Sequence, residues 1–165
     1  MPDPLAARVV SVLVGRGQSV ATAESLTGGL IGAALTSVPG SSAAYRGGVV
    51  AYATDLKHTL AGVPSGVLAA FGPVSEQTAV ALATGVRDAA GADWAVSATG
   101  VAGPDPQDGH EPGEVWLGVA GPSGGRARRY RFDGGRDEVR AAAVAAALSL
   151  LAGALDLEAG SREQP

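Results

Sequence analysis

The sequence predicts an α/β fold: a three-layer α/β/α sandwich around a mixed sheet, in a single domain. Three observations carry this. Short apolar strand-like runs alternate with segments of helical periodicity, as layered α/β folds require. Two adjacent strand-like runs near the C-terminal end are joined by a glycine-rich turn, which brings antiparallel pairing into the sheet. The chain has 165 residues, is 46% apolar and contains no linker-like stretch, which suits one well-packed core. The domain is expected to span residues 1–157, with a polar tail over 158–165.

In order along the chain, Leu5, Val9, Val12 and Leu13 mark a first helix that ends near Gly15-Arg16-Gly17. Ser19 to Ser25 reads as a strand. Leu30, Ile31, Ala34, Leu35 and Val38 give a helix from about Thr27, stopped by Pro39-Gly40. Gly47 to Tyr52 reads as a buried strand, followed by a short helix carrying Lys57 that Thr54 or Asp55 can cap. Pro64 opens a further short helix that Gly72-Pro73 ends. Ser75 caps a longer one with the stripe Ala79, Leu82, Ala83, Val86 and Ala90. Asp93 to Thr99 is a strand, and residues 100–113 form a loop with four glycines and three prolines. Loops of that length in compact domains tend to be functional. Strands Glu114 to Ala120 and Arg126 to Phe132 form the hairpin, and Arg136 opens a last helix with Val139, Val144, Leu148, Leu151 and Leu155 on one face.

Composition excludes several classes of function. With no cysteine and two histidines, disulfides, thiolate nucleophiles, Cys-ligated zinc and His-rich metal sites are not available. The net charge of −4 is scattered and aromatic content is 4%. No basic stripe or stacking platform for nucleic acid is therefore expected. No signal peptide and no run of membrane-spanning length is read, so no membrane partner is expected and the expected location is cytoplasmic.

The chemistry concentrates in Thr22-Ala23-Glu24-Ser25-Leu26-Thr27-Gly28-Gly29. A strand-to-helix turn there presents hydroxyls and glycine amides at a helix start, where unpartnered N–H groups attract a phosphate or a developing oxyanion. Ser25 is a nucleophile if a base reaches it, or it or Thr27 is an N-cap. Lys57 is the only lysine among twelve basic residues. Placed in the first turn of a helix and partly buried, it would have a lowered pKa and serve as general base, where an arginine would stay protonated. The other reading is a solvated helix lysine. Tyr52 is either a strand aromatic satisfying its hydroxyl or a proton relay. Thr99-Gly100-Val101-Ala102-Gly103-Pro104 is a glycine turn after a strand that can offer amides to a phosphate. No dinucleotide or P-loop motif is present. Arg136 and Arg140 meet a phosphate or pair with local carboxylates.

These motifs, together with Val38-Pro39-Gly40-Ser41-Ser42 and Gly47-Gly48-Val49-Val50-Ala51-Tyr52, resemble the CinA C-terminal domain family, which includes bacterial nicotinamide mononucleotide amidohydrolases. The resemblance runs from about residue 5 to 155. It implies hydrolysis of the carboxamide of nicotinamide mononucleotide to nicotinate mononucleotide and ammonia, in pyridine nucleotide salvage. It implies Ser25 as nucleophile, with Tyr52 and Lys57 as partners. Thr27, Gly28, Gly29, Ser42, Thr99, Gly100, Gly103 and Arg136 are then the expected substrate-binding residues. No metal or organic cofactor is expected; the expected partners are a pyridine mononucleotide and further copies of the chain in a homo-oligomer. Leu26 departs from the family, which usually has cysteine there, so no thiol chemistry follows Ser25. Functions tied to the family's separate N-terminal domain are not carried over. The alternative is a non-catalytic nucleotide-binding module acting through a protein partner in DNA uptake or repair.

Overall fold

The computed structural model describes the backbone of residues 1–162 and the side-chain surroundings of residues 1–156. Helix α1 (Pro4–Arg16) starts where Asp3 accepts hydrogen bonds from the Leu5 and Ala6 amides, and ends on left-handed Gly17. Strand β1 (Val20–Glu24) is buried along its whole length. Helix α2 (Leu30–Thr36) and a single 3₁₀ turn at 41–43 lead into β2 (Tyr45–Val50). Three helices follow: α3 (Thr54–Thr59), α4 (Ser65–Phe71) and α5 (Glu76–Ala90), the last capped by Ser75. Strand β3 (Trp94–Gly100), the long loop, the hairpin β4 (Glu114–Gly121) and β5 (Gly124–Arg131), and helix α6 (Arg136–Arg162) complete the chain.

The sheet order is β2-β1-β3-β4-β5. β1 pairs in parallel with β2 and β3, while β3–β4 and β4–β5 are antiparallel. The expected mixed sheet is thus present, and its helices lie on both faces. One core joins Val9 and Leu13 of α1, Ile31 and Leu35 of α2, and Val139, Leu148 and Leu151 of α6 to the sheet. The other joins Leu82, Ala83 and Val86 of α5 to Ala21, Ala23 and Ala95. Small side chains let α5 approach closely. Ser97 Oγ donates to the Ala79 carbonyl at 2.6 Å, and a Cβ at Gly118 would lie 2.5 Å from that same oxygen. Any larger residue at 118 would push α5 off the sheet.

Several boundaries differ from the sequence reading. β2 starts and ends earlier than expected, so Tyr52 lies two residues beyond it. The hairpin turn shortens to Pro122-Ser123, with Gly121 and Gly124 already paired. β5 is an edge strand with Arg126, Arg128, Arg129 and Arg131, charges that discourage pairing with another sheet edge. α6 is long and apolar enough to cross a bilayer by length and composition, which the sequence reading had not allowed. In the fold, however, Val139, Ala143, Ala147, Leu151 and Leu155 are buried in the core. Its helical backbone extends to Arg162 into the expected tail, whose side chains lie outside the described residues.

Candidate active site

The parallel half of the sheet ends its strands on one edge, the edge where open α/β sheets bind ligands. β1 delivers Ser25 there. The Ser25 amide still donates to Ala98 of β3 at 2.9 Å, which fixes the residue to the sheet before the chain turns away. Gly28 (φ 60°) and Gly29 (φ 103°) make that turn, in a region of backbone space that side chains oppose. The Gly28 amide donates to the Ser25 carbonyl, and the Leu30 amide to Thr27, each at 3.0 Å.

Neither Ser25 nor Thr27 caps the following helix. Gly29 occupies the cap position, and the buried Glu24 carboxylate accepts from the Ile31 amide at 2.8 Å and the Gly32 amide at 3.0 Å. An anion at a helix start is well placed against the orphan amides and the dipole. Sequence reasoning assigned Glu24 no role. Its signal is a carboxylate at the end of a fully buried strand, just before a helix with no capping residue of its own. Because Glu24 does the capping, the Ser25 hydroxyl is left for chemistry.

Lys57 reaches that hydroxyl directly. It is 2% exposed, and its Nζ lies 3.0 Å from Ser25 Oγ, 2.9 Å from the Ala51 carbonyl and 3.5 Å from the Tyr52 carbonyl. An ammonium donates to all three. A neutral amine donates its two N–H groups to the carbonyls and turns its lone pair toward the serine O–H, the geometry of a general base. Burial pushes the Lys57 pKa down to about 8, with the Asp108 carboxylate acting in the opposite direction. Of the two expected causes, burial is present and the helix N-terminus is not. Lys57 is the fourth residue of α3 and lies toward its C-terminal end, not in its first turn. Loss of water, rather than the helix N-terminus, lowers its pKa.

Tyr52 and Arg136 form the rim. Tyr52 is 60% exposed. Its hydroxyl accepts from Arg136 Nη2 at 3.0 Å, while Arg136 Nη1 donates to the Gly103 carbonyl at 2.9 Å. The Tyr52 hydroxyl is therefore at the mouth, and only its carbonyl meets Lys57. Ser25, Lys57, Tyr52, Arg136, Thr99, Gly100 and Gly103 line one cavity of about 410 Å³, inside the roughly 300–1,000 Å³ usual for small-ligand sites. The Thr99 hydroxyl is engaged with the Pro73 carbonyl at 2.6 Å. Thr27 is fully buried with no partner for its hydroxyl among the described residues. Thr27, Gly28, Gly29 and the exposed Ser42 are not among the lining residues. Leu26 is buried in the core and reaches the cavity wall, and its carbonyl accepts from Arg140 Nε at 3.0 Å. A second hollow, about 600 Å³, lies against α5 beside Pro64, Val80 and Thr84. Its walls carry Thr84, Glu76 and Asp88 but no lysine, arginine or histidine, so the pairing of a hydroxyl with a buried amine belongs to the first.

Comparison with known proteins agrees with this architecture. The family model for the CinA C-terminal domain matches residues 2–155. A CinA-like protein of Frankia casuarinae is 48% identical over 149 residues, which is 90% of this chain and 34% of that protein. A CinA-like protein of Anaeromyxobacter dehalogenans is 51% identical over 152 residues, 90% of this chain and 37% of that protein. The chain thus spans about a third of the length of these curated relatives. Among solved structures, the competence/damage inducible protein CihA from Agrobacterium tumefaciens superposes with a TM-score of 0.87 at 41% identity, covering 92% of this chain and 93% of that one. A competence-damaged protein (CinA) superfamily protein from Klebsiella pneumoniae gives 0.88 at 36% identity, covering 92% and 96%. The chain belongs to the CinA C-terminal domain family.

Proposed function

We propose that this domain hydrolyses the carboxamide of nicotinamide mononucleotide, yielding nicotinate mononucleotide and ammonia. The observation that carries the reading is the direct contact of Lys57 Nζ with Ser25 Oγ on the floor of a cavity. The substrate is the one the family resemblance implies. Neutral Lys57 takes the Ser25 proton as Oγ bonds to the carboxamide carbon. The Lys57 proton then passes to the departing nitrogen, the C–N bond breaks and ammonia leaves. Water, giving a proton to the same amine, then bonds to the acyl carbon, the ester bond to Oγ breaks, the proton passes to Ser25 Oγ, and nicotinate mononucleotide leaves.

The oxyanion donor in this reading is the Leu26 amide, which adjoins Ser25. Four of the later amides are committed, those of Gly28 to Ser25, Leu30 to Thr27, and Ile31 and Gly32 to Glu24, whereas the Thr27 and Gly29 amides are not among these. Each donor of this kind contributes about 3 kcal/mol to transition-state binding. In the alternative, a binding module without catalysis, Ser25 is a cap and Lys57 a surface residue. Against that stand the Glu24 cap and the 2% exposure of Lys57.

Incubation with nicotinamide mononucleotide is expected to release ammonia and nicotinate mononucleotide in equal amounts, with or without chelator. Binding without product would leave the module reading. The profile of kcat/KM is expected to rise with pH and level off above about 8, as Lys57 loses its proton. A profile already flat from pH 6 would remove Lys57 as base.

Arg136 is the proposed phosphate contact, since its guanidinium sits exposed at the mouth beside Gly103. Arg136→Ala is expected to raise KM for the mononucleotide roughly tenfold, the weight of one charge-assisted contact, with kcat little changed. The corresponding riboside, which lacks the phosphate, is expected to show no such change. An unaltered KM for the mononucleotide would end the assignment.

A further inference from the structure

The 100–113 loop carries a small built element over the cavity. Gln107 and His110 exchange backbone hydrogen bonds of 3.0 and 2.8 Å, closing a two-residue hairpin on Asp108-Gly109. Both central residues have positive φ, 50° and 78°, the pattern of a type I′ turn, in which Asp-Gly and Asn-Gly are favoured. The hairpin is tied down at its base. His110 Nδ1 lies 2.8 Å from Glu114 Oε2, and Glu114 Oε1 accepts from Arg129 Nε at 3.1 Å. Asp108 is therefore presented to the cavity by anchored backbone.

Four charged side chains line the cavity: Lys57, Asp105, Asp108 and Arg136. Arg136 is at the mouth, bonded to Tyr52 and Gly103. When Lys57 is neutral and ready to act, two carboxylates remain against that single guanidinium. Asp108 has no ion-pair partner among the described residues. It is also the carboxylate whose field reaches Lys57 on the cavity floor. With Lys57 neutral the cavity lining thus carries net negative charge, part of it on Asp108, an exposed carboxylate of the loop whose field reaches Lys57, and such a lining favours a cation over an anion.

Resting on the amidohydrolase reading, we propose that Asp108 is a specificity residue that selects carboxamides borne on a positively charged aromatic ring. A pyridinium ring places its fixed charge next to the reacting carboxamide. It neutralises Asp108 as it docks, where a neutral ring gains nothing. Hydrolysis then creates a carboxylate beside the same acid, so the charge that draws the substrate in also weakens retention of the product.

Asp108→Asn is the clean test, because asparagine suits the type I′ turn equally and only the charge is lost. Hydrolysis of nicotinamide mononucleotide is compared with that of its dihydro form, which keeps the carboxamide and phosphate on an uncharged ring. The ratio of the two kcat/KM values is expected to fall about fivefold in the variant, the scale of one partly exposed charge pair. An unchanged ratio overturns the proposal, even if both rates fall together. Separately, ligand-observed NMR titration of 1-methylnicotinamide, a cation, and nicotinamide, its neutral parent, gives an affinity ratio without turnover. That ratio is also expected to drop about fivefold on Asp108→Asn. If the wild-type protein hydrolyses neither nucleotide, the amidohydrolase reading fails. The binding ratio alone then decides for or against Asp108.

Discussion

Ser25→Ala is expected to lower amide hydrolysis by at least roughly 10⁴-fold while leaving affinity for nicotinamide mononucleotide within about threefold, as for removal of a nucleophile from a preformed site. The structure allows this separation. The Ser25 hydroxyl meets Lys57 and caps nothing, so its loss leaves the turn, the helix start and the cavity walls in place. Kinetics of product release and a direct binding measurement on the same preparation check both halves. An alanine variant that keeps a tenth or more of the wild-type rate would show that the nucleophile lies elsewhere, water included.

Lys57 carries the second large effect. Lys57→Arg keeps a positive charge but cannot yield a proton, and its planar head does not fit three acceptors arranged around one nitrogen. Lys57→Met keeps most of the volume and removes the amine. Both are expected to lose roughly 10³-fold or more in kcat, and Ser25→Ala combined with Lys57→Met is expected to be little worse than either alone, because the two groups share one step. An arginine variant near the wild-type rate would mean that Lys57 supplies charge rather than a base. Stability gives an independent check on the methionine variant. The pKa of Lys57 is near 8 in the fold and about 10.4 in an unfolded chain. Over that window the unfolded state binds more protons, so the Lys57 contribution to stability rises with pH from about 8 to 10.4. Below pH 8 the full penalty for burying the ammonium applies, about 3 kcal/mol. Lys57→Met is expected to flatten this slope in denaturant titrations run across the window.

Much of this site was legible in the chain before its coordinates. The alternating elements and the hairpin gave the layers because each is a local pattern with its own period. Ser25 and Lys57 stood out by residue type and by their positions just beyond strand ends. Their hydrogen bond was harder to foresee, since it depends on β1 and β2 being parallel neighbours that finish on the same edge. Glu24 went unread because its partners, Ile31 and Gly32, lie across a turn whose left-handed glycines delay the helix to Leu30. Partial burial of Lys57 is expected from the sequence, but its place in the first turn is not kept, because α3 is so short that its fourth residue already belongs to the last turn. Tyr52 was placed as a strand end, yet β2 stops at Val50 and the side chain moves to the mouth with Arg136, which is distant in sequence.

Two of the three groups that hold the Lys57 amine are main-chain carbonyls, those of Ala51 and Tyr52. The base is therefore registered to the path of the chain and not to the identities of its neighbours. Point substitutions across 53–56, outside the buried Ala51 and the rim residue Tyr52, can drift without detuning it, provided the backbone keeps its course. A single inserted or deleted residue between Ala51 and Lys57 has no such latitude, because it rotates the amine about α3 and strips away both acceptors at once. Variation in this stretch is thus expected to be broad in residue type and fixed in length, which deep scanning of substitutions alongside one-residue deletions would separate in a single library.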